Sequence, residues 1–476
     1  MNLPITWNDV LALGPIAVVF GGTLLLVVLE SIVRKASPLM FWVTVGVLAV
    51  AAGCALATIG VAGTAFGGTV LTGGYASYFA LVFSAGALLV TLLSPAYLLK
   101  RATAFTEYYI LLLAAVTGMM VMAASNDLVV FFLGLETMSV AFYVLAGFTR
   151  QSVTSNESAM KYFLLGAFAT GFLLYGMALV YGTLGSTSIA MLRSSAAAHA
   201  GEPLFLVGLG LLLVGFVFKV AAVPFHMWVP DVYEGAPTMV SGLMSTGGKS
   251  AAFAAFLLVF GADVLQSAAP IREVMAVLAA LSMIVGNILA ISQTSVKRML
   301  AYSSVAHAGY ILTGVIAANA DGANGVMFYL LAYTLMNVGA FGVLSILETA
   351  SVENVRIDDL AGLSRTRPWL AGLMALFMFS LTGIPPFAGF FGKYYVFTGA
   401  IGAGYTWLAI VGVIMSVVSA YYYLRLVVVM YFQEGSPDQV GTATGIGLAS
   451  LVLPAIALLA LGLLPSTIVN LTMQCF

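Results

Sequence analysis

The stretch Lys219-Val-Ala-Ala-Val-Pro-Phe-His-Met-Trp-Val-Pro-Asp-Val-Tyr-Glu-Gly-Ala-Pro237 decides how this chain is read. It continues the apolar run Leu204–Phe218, so a lysine stands inside a greasy segment, five residues before Pro224 and seven before His226. Pro224 has no N–H to donate, and its ring clashes with the carbonyl of Val220, the residue next to the lysine. A helix broken beside a buried ammonium is tolerated in a bilayer only where it lines protein or water. The stretch therefore points to an ion or proton pathway.

The surrounding composition supports a membrane setting. Of 476 residues, 62% are hydrophobic and 7% charged, and the mean hydropathy is +1.09. Soluble domains carry about 25% charged residues. A β-barrel would alternate polar and apolar positions instead of running apolar for twenty, so the expectation is an all-α integral membrane protein. The net charge of −1 and the lack of a basic cluster give no footprint for nucleic acid. Cys54 and Cys475 lie far apart, without the spacing of a metal site or a disulfide framework. The first positive charges, Arg34 and Lys35, follow the first apolar run, which is the wrong order for a cleavable signal.

Fourteen apolar spans are expected, at about 11–33, 39–62, 76–98, 106–124, 127–148, 158–183, 203–231, 238–262, 272–292, 297–317, 323–348, 369–400, 405–432 and 442–465. Each approaches the ~20 residues a bilayer core requires. The seventh and twelfth run about 30 residues, roughly 45 Å as continuous helix. That exceeds the ~30 Å core, and each contains proline, so tilt or breakage is expected. With the N-terminus outside, the cytoplasmic ends hold Arg34, Lys35, Lys100, Arg101, Arg150, Lys297, Arg298, Arg356, Arg365, Arg367 and Arg425, and the outer loops only Arg193 and Arg272. This bias orients the chain with both termini outside. The longest connections are Gly185–Glu202, outside, and the charged Thr349–Pro368, inside; the latter reads as a solvated connector or as a docking surface for a neighbouring subunit.

An internal repeat is visible. Spans four to eight and nine to thirteen each place a proline-broken helix fourth, with Pro224-Phe225 corresponding to Pro386-Phe387 and one lysine near each break, Lys219 and Lys393. Five spans is an odd number, so the units lie inverted, the pattern of transporters that bind near the midplane. The expected division is 1–104 for the first three helices, 105–265 and 266–434 for the two repeats, and 435–476 for the last helix.

With the cations of loops and span ends set aside, four lysines remain within spans, Lys161, Lys219, Lys249 and Lys393, and one carboxylate, Glu136, lies near the centre of the fifth span. A charge at a helix centre costs about 2.5–3.5 kcal/mol on insertion scales, so these groups are expected to face the bundle interior. The alternative to function is a buried structural ion pair, which adds little stability. Lys161 lies about a turn inside its span and four residues after Glu157; a snorkelling lysine or a local helix pair explains it as well as function does. His226 either serves a pathway or caps carbonyls freed at the break. His307, in Tyr302-Ser-Ser-Val-Ala-His-Ala-Gly-Tyr310, reads either as a satisfied core histidine or as part of a polar wire with Tyr302, Ser303 and Ser304. Tyr422 extends such a wire or anchors at the interface. His199, in the outer loop, reads as solvated. No P-loop, dinucleotide fingerprint or C-x-x-C is present. The chain is expected to hold no redox cofactor, and its driving energy to come from a partner.

Three long motifs now carry a resemblance: Pro224-Phe-His-Met-Trp-Val-Pro-Asp-Val-Tyr-Glu-Gly-Ala-Pro-Thr238, Lys297-Arg-Met-Leu-Ala-Tyr-Ser-Ser-Val-Ala-His-Ala-Gly-Tyr310 and Leu381-Thr-Gly-Ile-Pro-Pro-Phe-Ala-Gly-Phe-Phe-Gly-Lys-Tyr394. The chain resembles, over essentially its whole length, the antiporter-like membrane subunits of respiratory complex I (NADH:quinone oxidoreductase), relatives of the Mrp cation/proton antiporters. Lys393 in the twelfth span fits the N-type subunit and not the M-type, which has glutamate there. The lack of a long C-terminal extension argues against the L-type. The resemblance implies fourteen helices with two inverted five-helix repeats. It implies a paired input element of Glu136 and Lys219, a central relay at Lys249 and a terminal proton site at Lys393. Lys161, His226, His307, Tyr302 and Tyr422 match positions of a hydrated polar axis.

The resemblance also implies a bacterial inner-membrane hetero-oligomer, with neighbouring antiporter-like and small membrane subunits and lipid as partners. Flavin, iron–sulfur clusters and quinone would reside in other subunits. Burial and like charges lower a lysine's proton affinity, and an opposite charge raises it. Making and breaking a Glu136–Lys219 pair would then push a proton toward Lys249 and Lys393. The alternative reading is an Mrp-type antiporter exchanging sodium or potassium for protons, which would use the same lysines; a purely structural spacer is disfavoured by the deep charges.

Overall fold

The computed structural model describes residues 12–33, 38–100, 105–349, 354–435, 441 and 445–475. Arg34, Lys35 and Arg101, used above in reading orientation, and Glu353 of the charged 349–368 connection lie outside the described residues.

Thirteen helices among the described residues are long and apolar enough to cross a membrane. They are α1 (Gly14–Val33), α2 (Pro38–Thr58), α3 (Gly74–Lys100), α4 (Glu107–Ala124), α5 (Leu128–Ala146), α6 (Val153–Leu184), α7a (Pro203–Val220), α8 (Thr238–Val259), α9 (Ala269–Ile291), α10 (Val296–Ala317), α11 (Ala320–Leu347), α13 (Thr406–Phe432) and α14 (Gly445–Leu463). The remaining span is split, α12a (Pro368–Thr382) and α12b (Ala388–Gly402), and neither half alone crosses. The seventh span also stops short of its expected limit: α7a ends at Val220, and a short α7b (Trp228–Gly235) follows the break.

The two breaks share one geometry. In the first, Ala221 N–H bonds the Phe218 carbonyl and Ala222 N–H the Val217 carbonyl; in the second, Gly383 N–H bonds Ser380 and Ile384 N–H bonds Phe379. These 5→2 and 6→1 bonds are the Schellman termination, which needs a left-handed residue at the turn. Ala221 supplies φ +63° and Gly383 φ +89°. Proline a few residues on then forbids the helix from resuming in register.

The repeats also share their close contacts. A Cβ on Gly118 of α4 would fall 2.4 Å from the Met138 backbone nitrogen of α5, and one on Gly286 of α9 2.6 Å from the Ala306 nitrogen of α10. Small residues let backbones approach in a bilayer, where no hydrophobic effect drives helices together. The fold is thus all-α, with two inverted five-helix repeats that each carry one proline-broken helix.

The helices α8, α10 and α11 are almost wholly buried and form a central spine, while α1 is the most exposed span. The spine carries Lys249, His307, Lys297 and Asn337. Polar residues are placed where other helices, not lipid, surround them.

Several features were not expected. A hairpin of β1 (Gly63–Ala65) and β2 (Val70–Thr72) caps one end, with Val70 bridging to Ser125. The outer connection contains a helix, Ile189–His199, and a further helix, Pro465–Cys475, follows α14. The 349–368 connection is more than a solvated linker. Val355, Ile357, Leu360 and Leu363 are buried, and Ser295 bridges to Arg356.

Candidate functional site

Three lysines lie deep in the bundle: Lys219 is 6% exposed, Lys249 2% and Lys393 5%. Among the described residues none of the three has a carboxylate within 4.0 Å. Each is held by neutral oxygens. Lys219 Nζ donates to Ser139 Oγ at 2.8 Å. Lys249 Nζ donates to the Ser304 carbonyl at 2.7 Å. Lys393 Nζ donates to the Thr382 carbonyl at 2.8 Å, the Leu381 carbonyl at 3.3 Å and Ser416 Oγ at 2.7 Å. A buried ammonium without a counter-ion is costly, so whether it keeps its proton depends on small changes around it.

Local structure explains two of these placements. Leu381 and Thr382 end α12a, where carbonyls have no partner within the helix and the helix dipole is negative. Lys393, in the second turn of α12b, reaches back across the break to cap them. At the first break the capping group is different: Trp228 Nε1 donates to the Phe218 carbonyl at 3.2 Å. Lys249 begins a regular helical segment directly after the π-helical turn Met244–Gly248, an insertion frequent at functional sites.

Between Lys249 and Lys393 lies a row of polar side chains that are hydrogen-bonded in part. Ser304, whose carbonyl takes Lys249, lies one turn before His307 on α10. His307 Nδ1 bonds Tyr329 Oη at 2.8 Å and Nε2 bonds Tyr423 Oη at 3.1 Å. Tyr423 neighbours Tyr422, whose hydroxyl donates to Asn287 Oδ1 at 2.9 Å. Asn287 Nδ2 donates to Tyr310 Oη at 3.0 Å. The Tyr310 ring lies 4.9 Å from Lys393 Nζ, a cation–π contact. His307 is thus bonded through both ring nitrogens to tyrosines other than Tyr302, which suits a satisfied core histidine as well as a polar wire.

Other expected placements are corrected. Glu136 and Lys219 do not touch: Glu136 is only half-buried and accepts from Thr170 Oγ1 at 2.9 Å, while Lys219 meets Ser139, one turn further along α5. Lys161 is not buried; its side chain is 40% exposed and pairs with Glu157 at 2.7 Å and Asp231 at 2.6 Å. Tyr302 is half-buried and makes no side-chain hydrogen bond, because it points away from the face of α10 that carries His307. His226 sits half-buried in the first break, its Nδ1 buried without a hydrogen-bond partner. His199 is held by Glu202 at 2.9 Å.

Asn287, Tyr310, Tyr329, Tyr423, Ser139 and Ser416 were missed in the sequence. Asn287, a lone amide in a long apolar span, was the one with a legible signal. Lys297 and Glu348 were assigned to loop ends, yet both side chains are 2% exposed and their charged atoms lie 3.7 Å apart. Among the described residues no group of three or more His, Cys, Asp or Glu is arranged to hold a metal ion.

Known proteins share this architecture. The family described as NADH:quinone oxidoreductase/Mrp antiporter, transmembrane, matches residues 125–419. The NADH-quinone oxidoreductase subunit N of Trichlorobacter lovleyi is 45% identical over 457 residues, covering 95% of this chain and 94% of that protein. Subunit N 1 of Chloroherpeton thalassium is 44% identical over 472 residues, 98% of each. Among solved structures, a chain of respiratory complex I from Thermus thermophilus superposes with a TM-score of 0.84 at 37% identity, over 96% of this chain and 98% of that one. A chain of the Mrp complex from a Dietzia species reaches 0.86 at 23% identity, over 99% and 97%, a likeness of fold alone. The matched segment contains both breaks and the lysines Lys219, Lys249 and Lys393, and the chain belongs to the NADH:quinone oxidoreductase/Mrp antiporter family of membrane subunits.

Proposed function

We propose that this chain is the proton-translocating N-type membrane subunit of an NADH:quinone oxidoreductase. The observation that carries the reading is the set of three buried lysines without counter-ions, with a row of polar side chains, His307, Tyr423, Tyr422, Asn287 and Tyr310, lying between two of them. A carbonyl, an amide and a ring face do not hand on a proton, so water between the hydroxyls and His307 completes the path in this reading, and a neutral-to-charged exchange at each lysine sets its direction. The roles follow from position. Lys219 at the first break takes the proton on, Lys249 relays it, and Lys393 at the second break releases it. Glu136 acts on Lys219 through space and through Ser139, not as a contact pair. His307, Tyr423 and Tyr422 carry the relay between the repeats. Lys161 belongs to a surface ion network, and Tyr302 and His226 stand beside the path.

The chain provides no redox centre in this reading. Flavin, iron–sulfur and quinone chemistry in partner subunits supplies the energy, and neighbouring antiporter-like and small membrane subunits flank it in the bacterial inner membrane. The end bearing Arg150, Lys297, Arg298, Arg356, Arg365 and Arg367 faces the cytoplasm, with both termini outside.

Purification of the chain from its native membrane tests the assignment. It is expected to bring down subunits carrying flavin and iron–sulfur absorbance, and vesicles of the preparation to acidify on NADH addition. Lys393→Met is expected to lower the protons moved per electron without lowering the flavin content. Sodium- or potassium-for-proton exchange by a preparation without those chromophores would replace this reading with the Mrp type.

A further inference from the structure

We infer that Glu348 and Lys297 form a proton-loading gate at the basic end of the bundle, feeding Lys249 along the seam between α8, α10 and α11. The inference rests on the reading of Lys249 as a proton relay, and assigns it an entry separate from Lys219.

The three helices meet at two levels. At the lower one, Lys297 of α10, Glu348 at the end of α11 and Thr238 at the start of α8 come together. Thr238 Oγ1 lies 2.7 Å from both carboxylate oxygens of Glu348, and Lys297 Nζ lies 3.7 Å from Oε1 and donates to the Ala236 carbonyl at 3.1 Å. At the upper one, Ser245 of α8 accepts from Asn337 Nδ2 of α11 at 3.3 Å, and Asn337 Nδ2 lies 2.6 Å from Tyr333 Oη. Tyr333 faces Ser304 of α10, the residue whose carbonyl holds Lys249.

Between the levels the polar residues keep helical spacing. Thr238, Ser241, Ser245 and Lys249 share one face of α8, and Tyr333, Asn337, Ser345 and Glu348 one face of α11. All eight are buried. Eleven residues separate Glu348 from Asn337, about 16 Å of helix, so the two stripes cover roughly half of a bilayer core.

Two buried atoms along this seam make no hydrogen bond, Ser345 Oγ and Asn337 Oδ1, and beside them the Tyr233 hydroxyl faces Ser304. Leaving polar atoms unpartnered in a protein interior is costly, and a file of water bonded to such atoms is the usual resolution. Apolar residues at these positions would pack better and insert more readily. A seam kept polar from a titratable pair at its mouth to an ammonium at its head is built to pass protons. In each passage Glu348 takes a proton from the basic end, its pairing with Lys297 loosens, and the proton leaves along the hydroxyls and water toward Lys249. The carboxylate is then free to pair again.

The test uses the intact oxidoreductase in vesicles, reading protons moved per electron. Glu348→Gln keeps the shape and the Thr238 contact but cannot load a proton. Glu348→Asp shortens the side chain but still titrates. Asn337→Leu blocks the seam without touching either charge. Glu348→Gln and Asn337→Leu are expected to lower the ratio as far as Lys249→Ala does, and Glu348→Asp to stay near the parent. A purely structural carboxylate gives the reverse order, Gln tolerated better than Asp, and overturns the gate. Full ratios in Glu348→Gln and Asn337→Leu, with Lys249→Ala deficient, overturn the gate and leave the relay standing. A full ratio in Lys249→Ala overturns the relay and the gate with it. Should Glu348→Gln fail to assemble, Asn337→Leu against Lys249→Ala decides on the same criterion.

Discussion

Three ammonium groups with only hydroxyls and carbonyls around them set the chemistry at the scale of single residues. The buried pair Lys297–Glu348 is the contrast. There each charge has its counter-ion, and removing one partner strands the other, a loss of about 3–5 kcal/mol. Lys297→Met is therefore expected to lower the chain's abundance in the membrane, and Lys297→Met with Glu348→Met to restore it; quantitative immunoblotting checks both. Lys393 is sensitive in another way. A Cβ on Gly383 would come within 3.1 Å of Lys393 Cδ and 3.3 Å of its Nζ, at φ +89°. Gly383→Ala is expected to cost about 1–2 kcal/mol of backbone strain and to displace the ammonium from its caps. Its signature is a fall in protons per electron together with a lower thermal midpoint of the purified complex. The deep lysines were legible in the sequence because a charge in an apolar run stands out. Their surroundings were not. Tyr310, Tyr329 and Tyr423 look like ordinary interfacial or core aromatics until the helices are packed. Lys297 and Glu348 sat at span ends, where charge is normally solvated.

At the scale of elements, the breaks in α7 and α12 turn apolar helices into ion-handling parts. Both end in the same Schellman turn, and at both a side chain donates to carbonyls at the helix end, Trp228 in one and Lys393 in the other. The sequence announced the breaks through proline and through excess length. It did not reveal where each half-helix stops, because Ala221 carries no mark of its left-handed backbone. Ala221→Gly removes that strain, worth about 1–2 kcal/mol, at the cost of a looser unfolded chain, worth about 0.4–1 kcal/mol. A rise of up to about 1.6 kcal/mol in stability, read from the thermal midpoint, is the expected result. The α4–α5 contact gives the opposite case. Gly118→Leu would drive a side chain into the Met138 backbone and is expected to abolish accumulation of the folded chain. Gly210→Ala, with nothing within 4 Å of the new Cβ, is expected to be silent in the same blot.

At the scale of the whole molecule, the bundle is organised around a polar interior. The spine of α8, α10 and α11 holds a relay lysine, the histidine line and the Glu348–Lys297 seam, while more apolar helices surround it. Fold class, span number and the doubled broken helix were readable from hydropathy and proline, since these follow from the bilayer itself. The route through the interior was not, because it depends on which faces of eight spans meet. That is why the expected contact between Glu136 and Lys219 resolves into Ser139, and why Tyr302 falls off the path while Tyr423 joins it. The central claim is that protons cross this chain through Lys249. The most direct measurement is the number of protons translocated per electron by the assembled oxidoreductase carrying Lys249→Ala, with NADH oxidation and flavin content recorded on the same vesicles. A reduced ratio with assembly intact is the predicted result. An unchanged ratio in an intact Lys249→Ala complex would contradict the account.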